Sequence, residues 1–393
     1  MGKCLSSRYK WRVLLCCFLT FTLVVATQMA VIAPSIPIFQ SVFQISAMAV
    51  GLLTGVWALA RTTVSLPAAK MASVAGTRIS LVLGVLLSFT GWILISLSHS
   101  YWSVLMGQFV LGLGGGIVTS IGPLILSEWF PKEQIGIALG IWTTAMDTGL
   151  IWEIPLAAWV MSNWGWRYAY ALFGTLSLTI VIPAFFVLSC PSPYPLHRPQ
   201  GGELRATSLL RKPPYLLASL AIFLGMGYIA VISTYIVKWG MIKGCDYMLS
   251  SYLGTLISVG AMISKVSSGY ISDRILGGKR RPLFMLGALI SFVSTILYAV
   301  VDGGPLTMAI TAFMGFGVGL IVTASFSIPL SFVSLKERGL AMGITGVFIY
   351  GSYVSTPLIG HLFDVYGLYV ACIATSLLTF SALLIMLTVK GHV

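Results

Sequence analysis

Twelve apolar stretches, each long enough to cross a bilayer, succeed one another along this chain and are divided by short turns that hold most of its charge. A helix needs about 18 or more largely apolar residues to span hydrocarbon. The stretches cover about 13–38, 46–69, 79–98, 102–127, 136–160 and 168–188, then 215–238, 248–272, 282–301, 306–332, 340–361 and 368–389. A mean hydropathy of +0.97, with 58% hydrophobic and 8% charged residues, excludes a soluble domain. The predicted fold class is an all-α integral membrane protein with twelve transmembrane helices.

The net charge of +13 does not point to nucleic acid, because the basic residues are spread over short turns. No phosphate-binding loop, metalloprotease helix or zinc-finger spacing occurs, so no enzyme activity, cofactor or metal is expected. The six cysteines form no C-x-x-C pair, and four lie in or beside apolar runs, which reads as buried reduced thiols. Asn163 is followed by Trp-Gly and is no glycosylation acceptor.

The first residues, Met1-Gly2-Lys3-Cys4-Leu5-Ser6, fit a myristoylation pattern with Cys4 open to palmitoylation. Lys3, Arg8, Lys10 and Arg12 read more simply as the positive flank of a first span. No small-residue cleavage site follows, so a cleaved signal peptide is not expected. With the N-terminus inside, Arg167, Lys238 and Lys243 are the basic residues of the outer turns, and Arg61 and Lys265 lie within spans. The other lysines and arginines all fall inside, which predicts a cell-membrane protein with both termini cytoplasmic.

Between Cys190 and Pro214 the hydropathy collapses into prolines and basic residues. The expected domains are an N-terminal six-helix bundle at 1–189, a cytoplasmic linker at 190–213 and a C-terminal six-helix bundle at 214–393. The halves read as copies. Gly112-Leu-Gly-Gly-Gly116 matches Gly315-Phe-Gly-Val-Gly319, and Gly136-Ile-Ala-Leu-Gly140 matches Gly339-Leu-Ala-Met-Gly343 in the same register. The turn Ala69–Arg78 aligns with Gly269–Gly277.

The stretch Gly269-Tyr-Ile-Ser-Asp-Arg274 followed by Gly278-Lys-Arg280 resembles the cytoplasmic signature loop of the major facilitator superfamily. Trp129-Phe-Pro-Lys-Glu133 resembles that superfamily's turn after helix 4, and Gly165-Trp-Arg167 its turn before helix 6. The resemblance runs through the whole chain. It implies two pseudo-symmetric bundles, a substrate site near the midplane and alternating access. It also implies a gating role for Gly269, Asp273, Arg274 and Arg280 in the loop.

Charges inside spans carry the functional expectation, since an ionisable group in the bilayer is costly. Arg61 in helix 2 and Lys265 in helix 8 are read from helix ends as lying at similar depth. Asp147 and Glu153 in helix 5 are six residues apart, roughly 120° around the helix, and cannot share a face. The superfamily places helix 5 beside helix 8, which implies an ion pair of Lys265 with Asp147 or Glu153. One reading is a static packing pair. In the other, Arg61 and Lys265 hold an anion while the acids carry protons or gate. Porters of nitrate and of small carboxylates such as oxalate are similar in their basic helix-8 residue. Leu66-Pro-Ala-Ala-Lys70 is similar to the cyanate-permease group. Nitrate porters carry asparagine-containing glycine motifs in helices 5 and 11, which this chain lacks. Gly149–Pro155 departs from the helix-5 motif of drug exporters.

Further pathway candidates are Gln28, Trp57, Thr119, Tyr228, Tyr235, Thr323, Tyr350 and Tyr353, with His361 read as interfacial. The expected function is secondary active transport of a small anionic organic solute, coupled to protons, by a monomeric symporter in the lipid bilayer. Efflux of drugs or metabolites is the alternative. A membrane sensor or scaffold that moves nothing is the reading from another class. The signature loop yields a test. Ser73 stands in the first copy where Asp273 stands in the second, so Asp273→Asn should change uptake and the inward–outward bias seen by cysteine labelling, while Ser73→Ala changes neither. The reverse pattern would refute a gating role carried by Asp273 rather than by Ser73.

Overall fold

The structure, a computed structural model, describes residues 9–131, 134–190, 192–194, 209–270, 272, 279–333 and 337–389. Among these residues every regular element is helical. The first six helices are α1 (Tyr9–Phe43), α2 (Ala47–Ala75), α3 (Thr77–Ser96), α4 (Tyr101–Trp129), α5 (Ile135–Trp164) and α6 (Trp166–Val187). Then come α7 (Pro213–Ile242), α8 (Tyr247–Tyr270), α9 (Arg281–Val300) and α10 (Pro305–Ser327), the last continued by a 3-10 turn at Ile328–Phe332. A helical stretch without water must satisfy its own backbone, which is why each apolar run took this form.

The final apolar segment, Leu340–Thr388, is 49 residues long, too long for one crossing. Gly367 breaks it with φ 80° and ψ −173°, a conformation open to glycine and costly for other residues. Gly165 turns the chain between α5 and α6 in the same way, with φ 90° and ψ 162°. The same device in each half therefore separates α11 (338–366) from α12 (368–388), and the expected twelve helices are present.

The first apolar stretch, 13–38, closes on Pro34 and Pro37, yet α1 continues through both to Phe43. Each proline removes one N–H, whereas unwinding in hydrocarbon would expose many backbone groups, so the helix absorbs them. Cys16, Cys17, Cys245 and Cys372 are free and buried, as expected of reduced thiols. Cys190 departs from that expectation and is disulfide-bonded.

The glycine runs set the helix packing, and they do so twice with the same geometry. A Cβ on Gly112 would lie 2.4 Å from the Trp57 carbonyl oxygen, and one on Gly315 2.1 Å from that of Ile257. Gly114 rests against Ser88 and Gly84, Gly317 against Ser291 and Gly287. Gly116 packs on Arg61 and Val64, Gly319 on Ala261 and Ser264. Helix association in lipid relies on such close contact, because apolar side chains gain nothing by leaving an apolar solvent.

This register corrects one expectation. Ala261, not Lys265, occupies the position equivalent to Arg61, and Lys265 falls one turn further along its helix, about 6 Å at the α-helical rise. Depth counted from helix ends differs because α2 runs on to Ala75. The two basic groups are not at matched depth in their repeats.

By contacts the described residues divide into two compact units. One takes those up to Ile32 and from Val56 to Tyr194, the other Ala33–Gly55 and those from Leu209 to Val389. The last third of α1 and the first third of α2, with the turn joining them, thus belong with the second unit. Outward faces stay apolar: α9 exposes Leu286, Leu289, Val293, Ile296 and Val300, a stripe at helical spacing suited to lipid.

The close approach of α10 to α8 is directly testable. Gly315→Ala should lower the thermal midpoint of the detergent-solubilised protein by the equivalent of about 1–3 kcal/mol, the usual range for overpacking. Gly343→Ala, where a Cβ meets nothing within 4 Å, should leave it unchanged or slightly raised. Equal melts for the two variants would remove the glycine contact as a determinant.

Candidate functional site

In the first unit, four helices bring polar side chains together in an otherwise apolar interior. Arg61 of α2 is 1% exposed. Its guanidinium lies over the Trp57 ring, 4.5 Å from the centroid, one turn back on the same helix. Its Nη2 donates to the hydroxyl of Thr119 on α4. Thr119 donates its own proton to the Gly115 carbonyl at 2.8 Å, so an oxygen lone pair is left to face the guanidinium.

Gln28 of α1 joins this group. The Trp57 Nε1–H donates to Gln28 Oε1 at 2.8 Å, and Gln28 Nε2 donates to Ser88 Oγ of α3 at 3.2 Å. An indole nitrogen only donates, which sets the orientation of the amide. Gly115 makes room for it, since a Cβ there would stand 2.3 Å from Gln28 Oε1. The glycines of α4 thus seat Gln28 and Arg61 as well as packing the helices.

A second cluster lies where α5 meets α1. Glu153 is fully buried. The Thr27 hydroxyl is 3.1 Å from Glu153 Oε1 and also 3.1 Å from the Thr22 carbonyl oxygen. Here α1 widens into a π turn over Phe21–Ala26, and the Thr27 amide also donates to the Thr22 carbonyl. Thr22 Oγ1 ties α1 to the Ala145 carbonyl at 3.2 Å. Gly149 permits the approach, because a Cβ there would stand 2.5 Å from Ala26 Cβ. Asp147 is also buried, at 3% exposure.

The second unit holds the remaining candidates. Tyr228 is buried with its hydroxyl 3.0 Å from Thr295 Oγ1, whose proton goes to the Ser291 carbonyl, so the phenol donates. The Tyr235 hydroxyl lies 2.8 Å from the Ala47 carbonyl and 2.9 Å from that of Thr356 and shares one proton between them. Lys265 and Tyr350 are half-buried, Tyr353 is buried, and Thr323 donates to the Gly319 carbonyl. His361 is exposed. In the signature loop, Gly269 ends α8 within the helix and Arg280 is the N-cap of α9. Asp273 and Arg274 lie outside the described residues. Ser73 bonds the Lys70 carbonyl of its own helix.

The twelve-helix arrangement and the buried polar group within it are those of a membrane transporter. The sequence profile of the Major Facilitator Superfamily matches residues 16–352, and the chain belongs to that family. It is 27% identical to monocarboxylate transporter 13 of Bos taurus over 303 residues, covering 75% of this chain and 69% of the relative. It is 23% identical to the agnestins efflux protein AgnL12 of Paecilomyces divaricatus, covering 74% and 66%. Its fold is similar to the crystal structure of a bacterial homologue of the human lysosomal transporter Spinster, with TM-score 0.82, 16% identity and 97% of each chain covered.

Sequence reasoning missed several groups. Thr27 and Ser88 are unremarkable hydroxyls until Glu153 and Gln28 reach them. Arg281 donates to the carbonyls of Met386 and Leu387, capping the end of α12. Lys243 donates to the Ala299 and Val301 carbonyls at the end of α9, and burial there pushes its ammonium below the ordinary lysine range. Asp364, on α11 just before the Gly367 break, accepts from the amides of Ala47 at 2.9 Å and Met48 at 3.0 Å. It caps the start of α2 within the second unit, beside Tyr235 on Ala47 and Thr54 on Thr356. Asp364→Ala should speed hydrogen exchange at Ala47 and Met48 and cost about 1 kcal/mol, the value of a helix cap. Asp364→Asn, which keeps one acceptor, should lose less. Unchanged exchange at those two amides would refute the cap.

Proposed function

We propose that this chain is a proton-coupled symporter of a small organic anion of the monocarboxylate class. The observation that carries the reading is the Arg61 guanidinium, buried on the Trp57 ring and beside Thr119, in a span where a cation is costly unless it is used. A guanidinium matches a carboxylate in plane and charge, and a partly desolvated cation draws an anion more strongly than one in water. Gln28 and Trp57 orient that group. The relative named as a monocarboxylate transporter supports the substrate class. The buried carboxylates Asp147 and Glu153 are the proposed coupling groups, since an acid in a span is costly and marks function. Lys265, Tyr228, Tyr235 and Tyr350 complete the proposed pathway, with Asp273, Arg274 and Arg280 gating. The proposed setting is the cell membrane, as a monomer with both termini cytoplasmic, in accord with the placing of basic residues.

Two relatives named as efflux proteins favour a second reading, in which the same site exports a metabolite. Counterflow from preloaded vesicles of known orientation separates the two.

The anion reading makes a direct demand on Arg61. In proteoliposomes, Arg61→Ala should lower kcat/KM for a monocarboxylate ten- to a hundredfold, matching the about 1.5–3 kcal/mol of a charge-assisted hydrogen bond. Arg61→Lys, which keeps the charge and loses the planar fork, should fall between. A folded Arg61→Ala protein with wild-type kcat/KM for anions would overturn the proposal.

A further inference from the structure

The Thr27 hydroxyl has one proton and two acceptors, Glu153 Oε1 and the Thr22 carbonyl, each at 3.1 Å. Shared between the two, the proton serves each less well than if it went to one alone. If Glu153 is charged, Thr27 must donate to it, and the Thr22 carbonyl keeps only the Thr27 amide. If Glu153 is neutral, its own O–H donates to Thr27 Oγ1, and the Thr27 proton turns to the Thr22 carbonyl. Both Thr27 donors then close the same five-residue span of α1. The wide turn gains one hydrogen bond when Glu153 is protonated and loses it when the proton leaves.

The surroundings of Glu153 suit a neutral carboxyl. Its Oε2 is buried and has no hydrogen-bond partner among the described residues. Within this unit no ionisable side chain lies on α1 between Phe18 and Ile32, and α4 has none between Trp102 and Ser127. On α5 itself Asp147 is six residues away, roughly 120° around the helix. The titratable residues of α6, Arg167, Tyr168 and Tyr170, stand in its first turns, where Arg167 bonds the Ser98 carbonyl and Tyr170 packs on Trp92. A carboxylate with a single shared donor is poorly stabilised in such a place.

The turn also sits next to the anion site. Gln28, the residue after Thr27, accepts from Trp57, which carries the Arg61 guanidinium on its ring. Closing a π turn to an ordinary α turn shifts the register of one helical segment against the other by one residue, about 100° of rotation. Such a shift would take Gln28 off Trp57.

We infer that Glu153 is the site of the coupling proton, and that Thr27 transmits its charge state to the wide turn of α1, which presents Gln28 to Trp57 and Arg61. The proton comes from water on one side and returns to water on the other, with no covalent change. The inference rests on the proton-coupled reading above and names the residue and the relay within it.

Infrared difference spectra of the full chain in liposomes, taken across a pH titration, test the site without any substrate. A protonated-carboxyl band should titrate in the wild type and vanish in Glu153→Gln. In Thr27→Val it should shift to the position of a carboxyl without a hydrogen bond, and Thr27→Ser should restore it. With propionate as probe, the ratio of gradient-driven accumulation to downhill exchange should fall at least tenfold in Glu153→Gln. If the wild type shows no gradient-driven uptake, the coupled-transport reading fails while the band still decides the site. A band that survives in Glu153→Gln, or that does not respond to Thr27→Val, overturns the inference. So does a wild-type accumulation ratio in folded Glu153→Gln. Should that variant not fold, the Thr27 pair alone decides.

Discussion

Backbone-to-backbone approach at glycine underlies this structure, because helices already in lipid have no apolar surface to gain by meeting. Gly112 against the Trp57 carbonyl and Gly315 against the Ile257 carbonyl bring α4 onto α2 and α10 onto α8 at distances a side chain would forbid. Gly114 and Gly317 do the same toward α3 and α9. One helix in each repeat thus aligns two neighbours. In the first repeat that alignment also places Arg61, Trp57 and Ser88, so the polar group is a by-product of how glycines pack. A methyl group at Gly115 would displace Gln28 before it disturbed any helix.

Arg61 and Glu153, both buried, meet different surroundings. Arg61 receives an aromatic face and a hydroxyl whose own proton is already committed elsewhere, so a π face and an oxygen lone pair meet the guanidinium. Glu153 receives one hydroxyl that a carbonyl also claims. Low dielectric makes both arrangements consequential, since an unmet polar group there is expensive and a met one is strong. The π turn of α1, Phe21–Ala26, leads into Thr27, which meets Glu153, and then into Gln28, which meets Trp57.

Much of the architecture was legible beforehand. Apolar length announced the spans, and the glycine runs announced the repeat, because both follow from what hydrocarbon permits. Helix ends were less legible: α1 absorbed Pro34 and Pro37, and α2 ran past Ala69. The same effect reaches the site, where counting from helix ends puts Lys265 level with Arg61 although Ala261 holds the equivalent place. Among site residues, Arg61, Glu153 and Gln28 stood out as polar groups in apolar runs. Thr27, Ser88 and Asp364 did not, since a hydroxyl can bond its own helix and an acid beside a turn looks solvated.

By itself, then, the sequence determined a helical membrane protein of two related halves and marked which side chains would be costly to bury. Those outcomes follow from local rules: the length of apolar runs, the spacing of glycines and the price of charge in lipid. Only the tertiary structure decided which donors meet which acceptors. Trp57 finds Gln28 on another helix, Thr27 finds Glu153, and Asp364 finds the first amides of α2. Such pairings depend on rotation and rise between helices distant in sequence, to within an ångström, and no single segment carries that information.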